Sequence, residues 1–132
     1  MKVLRFENED GYGPYINNKE IVFSFFNKHL DASIYPGMYQ DIFNKDIEVN
    51  ISNESLYCGF LNIKQTLSWF TQEDIMEMYR KGFCLFIYDT IEEVFSSKKQ
   101  VLFEKKACLD TKKEIPFEKY MTKRTLKRLA II

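Results

Sequence analysis

An unbroken apolar run, Phe83–Tyr88 (FCLFIY), limits most strongly how this chain can fold. Its residues are apolar or aromatic and favour extended structure, so the run predicts a buried central strand. Gly82 stands directly before the run, where a glycine can end a helix in the left-handed conformation. The feature therefore predicts a sheet whose central strand is entered from a helix.

Residues 62–81 carry the signals of that helical segment. Asn62 with Gln65, and Thr71 with Asp74, have the spacing of a capping box, so each pair can begin a helical turn. Apolar residues follow the two caps at helical spacing: Ile63, Leu67, Phe70, Ile75, Met78 and Tyr79. We expect one amphipathic helical segment that leads into the central strand.

Three further segments favour strands: Lys2–Glu7, Tyr57–Phe60 and Gln100–Phe103. The run Ile21–Phe26 fits either a strand or a buried helical segment, because its length does not decide between them. Together with a basic helix near the C-terminus, these elements predict a single α+β domain over residues 1–132 with a mixed or antiparallel sheet.

The remaining segments have weaker patterns. Gln40–Ser55 is polar, and it fits an edge strand or an excursion beside a site. Asp89–Lys98 places Ile91, Val94 and Phe95 at helical spacing, which indicates a short helix or turn. Glu104–Lys113 is charged and is expected to lie at the surface.

Composition excludes several classes of protein. The formal net charge is zero, which argues against nucleic-acid binding by the molecule as a whole. The cysteines Cys58, Cys84 and Cys108 show no CxxC spacing, so we expect free thiols in a reducing compartment and no metal site. No run approaches the ~20 apolar residues of a membrane span, and no signal-peptide pattern is present. We expect a cytoplasmic protein, in the host cytoplasm if a phage encodes it.

Common catalytic motifs are missing from the sequence: GxGxxG, GxxxxGK[ST], HExxH and GxSxG. Candidate groups remain. His29, the single histidine, can act as a general base or serve a structural role, and both readings stay open. Glu92 and Glu93 form an adjacent acidic pair that fits either a site or a solvated surface.

Basic residues outnumber acidic ones from Lys112 onward. Helical spacing relates Tyr120, Lys123, Arg124, Lys127 and Arg128, and apolar residues for docking such a helix are Phe117, Met121, Leu126 and Leu129. The candidate partner-binding residues are Lys119, Lys123, Arg124, Lys127 and Arg128. The segment is either a solvated helix or a basic surface for phosphate or an acidic partner.

The order of residues at three predicted strands resembles the pattern of the ADP-ribosyltransferase-like fold. The residues are Arg5 in Val-Leu-Arg-Phe, Phe60 before the helix that holds Trp69, and Gln100 at the start of a late strand. The resemblance implies NAD as a ligand, with Arg5 on phosphate and Gln100 on ribose. It also implies that aromatic side chains stack on the rings, and these are Tyr12, Tyr15 and Phe60. Candidate catalytic residues are then Arg5, Gln100 and His29.

The family has a glutamate where this chain has Gln100, and a neutral amide stabilises a developing cation less well. This difference favours binding over catalysis and leaves open whether the chain is an enzyme. A second resemblance is to small phage and prophage proteins with an early Arg-x-Glu-Asn…Gly-x-Gly-Pro-Tyr pattern. Residues that fit it are Arg5, Glu7, Asn8, Gly11, Gly13, Pro14 and Tyr15.

The second resemblance implies an anti-defence protein of the anti-CRISPR kind, with a host or defence protein as partner and no membrane. The leading hypothesis is therefore a phage inhibitor that blocks a host protein by binding, on an ADP-ribosyltransferase-like scaffold. The alternative is an NAD-dependent ADP-ribosyltransferase, or a protein that binds NAD or ADP-ribose. Nucleic-acid binding through the basic C-terminal segment is a third hypothesis, which the balanced charge disfavours.

Overall fold

The computed structural model describes residues 1–15, 22–31, 33, 35, 56–91 and 95–128. The strands in these ranges are β1 (Lys2–Glu7), β2 (Leu56–Gly59), β3 (Cys84–Asp89), β4 (Phe95–Ser96), β5 (Val101–Glu104) and β6 (Lys113–Glu114). The α-helices are α1 (Ile63–Trp69), α2 (Gln72–Arg80) and α3 (Lys123–Arg128). Short 3-10 helices cover Ser24–Phe26, Lys28–Leu30, Lys105–Thr111 and Phe117–Lys119. The α+β class is confirmed, as is a basic helix near the C-terminus.

The strands form two antiparallel sheets. In the first sheet β3 lies between β1 and β6, so the predicted central strand is confirmed. In the second sheet β5 lies between β2 and β4. Leu4 and Phe60 exchange two backbone hydrogen bonds of 2.7 Å, and this bridge joins the sheets at a seam.

Strand β1 divides its side chains between two apolar cores, because successive residues of a strand point to opposite faces. Leu4 and Phe6 belong to the larger core, which also holds the buried side chains of α1 and α2. Val3 belongs to the smaller core, with Tyr88 and Phe103. Arg5 and Glu7 alternate with Leu4 and Phe6, so they share the face of Val3.

The helical segment at 62–81 is confirmed as two capped helices. Asn62 Oδ1 accepts the Gln65 backbone N–H at 2.8 Å, and this cap begins α1. Thr71 and Asp74 form both hydrogen bonds of a capping box at the start of α2. Gly82, with φ of +86°, then ends the helix as predicted.

The structure corrects the sequence predictions for two segments in the second half of the chain. Phe95–Ser96 forms strand β4 against Val101 and Leu102, where a short helix had been an option. The Ser97 hydroxyl accepts the backbone N–H groups of Lys99 and Gln100, which favours a tight hairpin turn over a helix. Ile91, assigned to the apolar stripe of that helix, is 94% exposed.

The second error is Glu104–Lys113, which was expected to be surface. Its 3-10 helix buries Lys105 and Cys108, because the ammonium of Lys105 finds a carboxylate and a carbonyl inside the protein. For residues 21–26 the sequence allowed either a strand or a helical segment, and in the structure Ser24–Phe26 is a 3-10 helix with Phe25 buried. Gln40–Ser55, Glu92, Glu93 and Leu129 lie outside the described residues. None of the helices in the described ranges is long and apolar enough to cross a bilayer.

Candidate ligand-binding site

A cavity of about 300 Å³ lies at the seam between the two sheets. Its walls are mainly aromatic, and no carboxylate belongs to them in the described part of the chain. The lining residues are Arg5, Phe6, Pro14, Tyr15, His29, Tyr35, Cys58, Gly59, Phe60, Trp69, Phe70 and Gln100. Such a cavity suits a flat apolar ring and offers one permanent positive charge.

Arg5 supplies that charge from a fixed position. Its Nε donates to Glu7 Oε2 and its Nη1 donates to the Cys58 carbonyl, both at 2.8 Å. A Cβ atom on Gly13 would lie only 2.8 Å from Arg5 Nη2, so the glycine lets the loop backbone reach the guanidinium. In the described structure Nη2 is the guanidinium nitrogen left available to a ligand.

Glu7 is fully buried and binds three basic side chains next to the cavity. Its Oε2 accepts from Arg5 Nε at 2.8 Å and from Lys105 Nζ at 2.7 Å. Its Oε1 accepts from Lys112 Nζ at 2.8 Å and from the Tyr88 hydroxyl at 2.6 Å. We call these five residues the Glu7 cluster. Three cations share one carboxylate, so the cluster keeps an excess of positive charge.

Burial and hydrogen bonding oppose each other in the Glu7 cluster. Burial alone would raise the pKa of Glu7, but hydrogen bonds from Lys105, Lys112 and Tyr88, together with the charge of Arg5, hold it below its usual value. Burial, helped by Glu7, raises the pKa of Tyr88, so its hydroxyl remains a donor. Burial also lowers the pKa of Lys105, although Glu7 opposes that change.

A hydrogen-bonded chain of rings forms another wall of the cavity. Trp69 Nε1 donates to the Tyr15 hydroxyl at 2.7 Å, and that hydroxyl also bonds His29 Nδ1. Burial, and then the charge of Lys28, lowers the pKa of His29 to about 4, so the ring is neutral at pH 7. The neutral ring can therefore accept a hydrogen bond from the Tyr15 hydroxyl at Nδ1. His29 Nε2 is buried and has no hydrogen-bond partner among the residues that the structure describes, while Asp74 and the Trp69 backbone oppose the lowering of the ring's pKa.

Of the six ligand-binding and catalytic candidates named from the sequence, five come together in this cavity. Arg5, Tyr15, Phe60, Gln100 and the candidate base His29 all line it. Tyr12 does not, because its side chain is 54% exposed in the turn after β1. The predicted partner-binding residues lie in the C-terminal segment, where the exposed ones are Lys119, Lys123, Arg124 and Lys127. Arg128 ends α3.

The sequence did not identify Lys105 and Lys112 as partners of Glu7, and it did not assign Glu7 to a site. One signal was present: Arg5 and Glu7 alternate with apolar residues in a strand, so both must point to one partly buried face. A charged pair on such a face requires partners. Nothing in the local sequence marks Lys105, which is distant along the chain, as one of them.

Comparison with known proteins adds the origin of the chain. The geometry defines a small α+β protein with an aromatic, cationic cavity. The family model described as Bacteriophage T4 Y00F protein matches residues 1–117, which include the whole cavity and the Glu7 cluster. The chain therefore belongs to this phage protein family, and the resemblance to phage proteins is confirmed at that level. No curated protein and no solved structure gives a significant match. The likeness to the ADP-ribosyltransferase-like fold stays a prediction.

Proposed function

We propose that this phage protein binds a nucleotide-type small molecule in the cavity at the sheet seam. The observation that carries the proposal is the convergence on one space of Arg5 from β1, Phe60 from the end of β2, Gln100 from the start of β5 and Tyr15 from a loop. Aromatic walls fit a planar ring, and a guanidinium fits a phosphate. The excess of positive charge in the Glu7 cluster favours an anion over a neutral ligand.

Size limits the ligand. A cavity of about 300 Å³ lies at the lower end of the range for small-molecule sites. It accommodates one ring with its sugar and phosphate more readily than a whole dinucleotide. For NAD or ADP-ribose, one half of the molecule would occupy the cavity and the other half would extend into solvent.

Binding fits the site better than group transfer does. An ADP-ribosyl transfer develops positive charge on the sugar, which a carboxylate would stabilise. The lining residues described above include no carboxylate, and the late-strand position holds the neutral amide of Gln100. Glu7 lies in its own cluster with its oxygens occupied by four donors. We therefore propose a protein that holds its nucleotide without cleaving it.

Thermal unfolding with AMP, ADP-ribose and NAD tests this proposal. A ligand at a hundredfold its dissociation constant should stabilise the wild-type protein by about 2.7 kcal/mol. The shift should disappear in Arg5→Ala, with each variant compared to its own ligand-free transition, since Arg5 also supports the fold. Tyr12→Ala is the matched control, because Tyr12 lies in the same loop but outside the cavity wall. If none of the three ligands shifts the wild-type transition, the proposal is wrong.

A second candidate function is inhibition of a host protein through the basic C-terminal segment. Tyr120, Met121 and Leu126 are buried and anchor this segment to the domain. Among the predicted partner-binding residues whose side chains the structure describes, the exposed cations are Lys119, Lys123, Arg124 and Lys127. These residues lie beyond the matched residues 1–117 of the family. A preformed basic face of this kind suits an acidic protein surface.

Charge reversal tests the second candidate. Lys123, Arg124 and Lys127 would be changed together to Glu, and cross-linking to host proteins would be compared with wild type by mass spectrometry. The control reverses three exposed lysines elsewhere, Lys64, Lys98 and Lys106. A specific partner should be lost only in the first variant. Equal loss in both variants would mean that total charge, and not this face, determines the cross-linking.

A further inference from the structure

Lys105 connects the Glu7 cluster to the loop that closes the cavity. Its side chain is almost completely buried, and its Nζ donates to Glu7 Oε2 at 2.7 Å and to the Gly11 carbonyl at 2.6 Å. The same ammonium lies 4.9 Å from the centre of the Tyr57 ring. A buried ammonium is stable only when its donors are satisfied, so the bond to Gly11 is part of what keeps Lys105 inside.

The loop that receives this bond is locally stiff. Asn8 Oδ1 accepts the backbone N–H groups of Asp10 and Tyr12 at 3.0 Å, and the Asn8 carbonyl accepts from Gly11 N. Gly11 has φ of +83°, a conformation that a side chain would strain. The turn therefore moves as a unit, and a force on Gly11 is carried to the residues that follow it.

Those following residues form a wall of the cavity. Pro14 and Tyr15 line it, and the Tyr15 hydroxyl accepts the indole N–H of Trp69 at 2.7 Å. The segment 11–15 is thus fixed at both ends, by Lys105 on Gly11 and by Trp69 on Tyr15. Between them Gly13 lies against the guanidinium of Arg5.

We propose that Lys105 is a positioning residue for the cavity, which holds Tyr15 and Pro14 in place through the Gly11 carbonyl without touching the ligand. Its effect on the loop stands on the geometry alone, whereas its effect on affinity rests on the nucleotide binding proposed above. Glu7 fixes Arg5 and Lys105 together, so the anion-binding group and the aromatic wall keep one relative position.

Trp69 provides a direct readout, because it is the only tryptophan in the chain. In the ligand-free protein Lys105→Met should release the loop, break the bond from Trp69 to Tyr15, and expose the indole to water. The emission should shift to longer wavelength, and acrylamide should quench it more strongly than in wild type. Tyr15→Phe, which removes the hydroxyl and leaves Lys105 in place, calibrates the part of the signal due to that hydrogen bond.

Lys112→Met is the matched control. Lys112 has the same charge and bonds the same carboxylate, but its ammonium lies over the Phe86 ring at 4.2 Å and makes no bond to the loop. Its removal should leave the emission and quenching of Trp69 as in wild type. Lys105→Arg, which keeps a charged donor, should restore most of the wild-type signal. An unchanged signal in folded Lys105→Met, or an equal change in Lys112→Met, would overturn the proposal.

Two further measurements complete the test. If Lys105→Met fails to fold, Gly11→Ala provides a second test, because it perturbs the loop at the residue that accepts the Lys105 bond. It should give the same change in Trp69 emission. Wild-type emission from Gly11→Ala would refute the proposal. Titration with ADP-ribose should show about tenfold weaker binding by Lys105→Met if the loop is in place in only one molecule in ten. Failure of ADP-ribose to bind the wild-type protein would refute the proposed function, whereas the ligand-free fluorescence still decides the role of Lys105.

Discussion

Replacement of Glu7 by Gln should destabilise the protein strongly, because it removes the one carboxylate of a buried cluster with three cations. The side chain is fully buried and accepts four hydrogen bonds of 2.6–2.8 Å. Glutamine has nearly the same shape, so the change removes the charge without a cavity and turns one acceptor oxygen into an NH2 donor that faces two donors of the cluster. Removing one partner of a buried ion pair costs about 3–5 kcal/mol, a large part of the ~5–15 kcal/mol that stabilises a typical domain.

Urea unfolding followed by circular dichroism measures this cost at pH 7, with the slope of the transition confirming that both proteins unfold in the same way. Lys112→Met is a useful comparison. The Lys112 side chain is one-quarter exposed, and its removal relieves the excess of cations, so we expect the free energy of unfolding to fall by less than about 1 kcal/mol. A loss below about 1 kcal/mol for Glu7→Gln as well would refute the view that the carboxylate holds the cluster together.

Acid should reproduce the effect of Glu7→Gln. The pKa of Glu7 is lower in the folded protein than its ordinary value of 4.5, so the unfolded chain binds the proton more readily. The stabilisation is present above pH 4.5 and is lost as the pH falls from there through the folded pKa. In Glu7→Gln this acid-dependent loss should be smaller, and an identical pH profile in the two proteins would contradict the assignment.

Two further perturbations test other parts of the site. The pKa of His29 is lowered to about 4, so the unfolded chain binds the proton more readily than the folded protein. Allowing for partial exposure, the free energy of unfolding should fall by about 1–2 kcal/mol as the pH drops from 6.5 to 4. Urea unfolding of His29→Gln should show a weaker dependence on pH. In Gly59→Ala the new Cβ would lie 2.5 Å from Val3 Cγ1 and 2.8 Å from the Leu4 carbonyl, which should cost about 1–3 kcal/mol. A stable Gly59→Ala protein would mean that the seam yields to an added methyl group.

Local sequence patterns predicted the ends of the helices correctly, because capping residues and glycine act through backbone geometry. The caps at Asn62 and Thr71 and the stop at Gly82 lie where the sequence placed them, because these features depend on only a few neighbouring residues. The strand β4 was missed, because the spacing of three apolar residues fits a helix while pairing with β5 decides the outcome.

Sequence patterns identified residues that line the cavity, but they did not identify the buried residues that hold those side chains in place. Arg5, Phe60 and Gln100 were named from their places on three strands, and all three line the cavity. Lys105 was assigned to the surface, because a lysine in a charged segment is usually solvated. Its burial depends on a carboxylate and a carbonyl that lie more than ninety positions earlier in the chain. Such long-range compensation leaves no periodic signal in the sequence.

The seam between the sheets has a mechanical consequence. Backbone pairing across it is confined, in the described chain, to Leu4 and Phe60. Beyond that pair, side chains join the two sheets, through the bond from Arg5 Nη1 to the Cys58 carbonyl and through the packing of Val3 with Phe103 in the smaller core. Arg5 belongs to one sheet and Gln100 precedes a strand of the other. A molecule that contacts both residues would add a further link between the two sheets, so its binding should stabilise them as one unit.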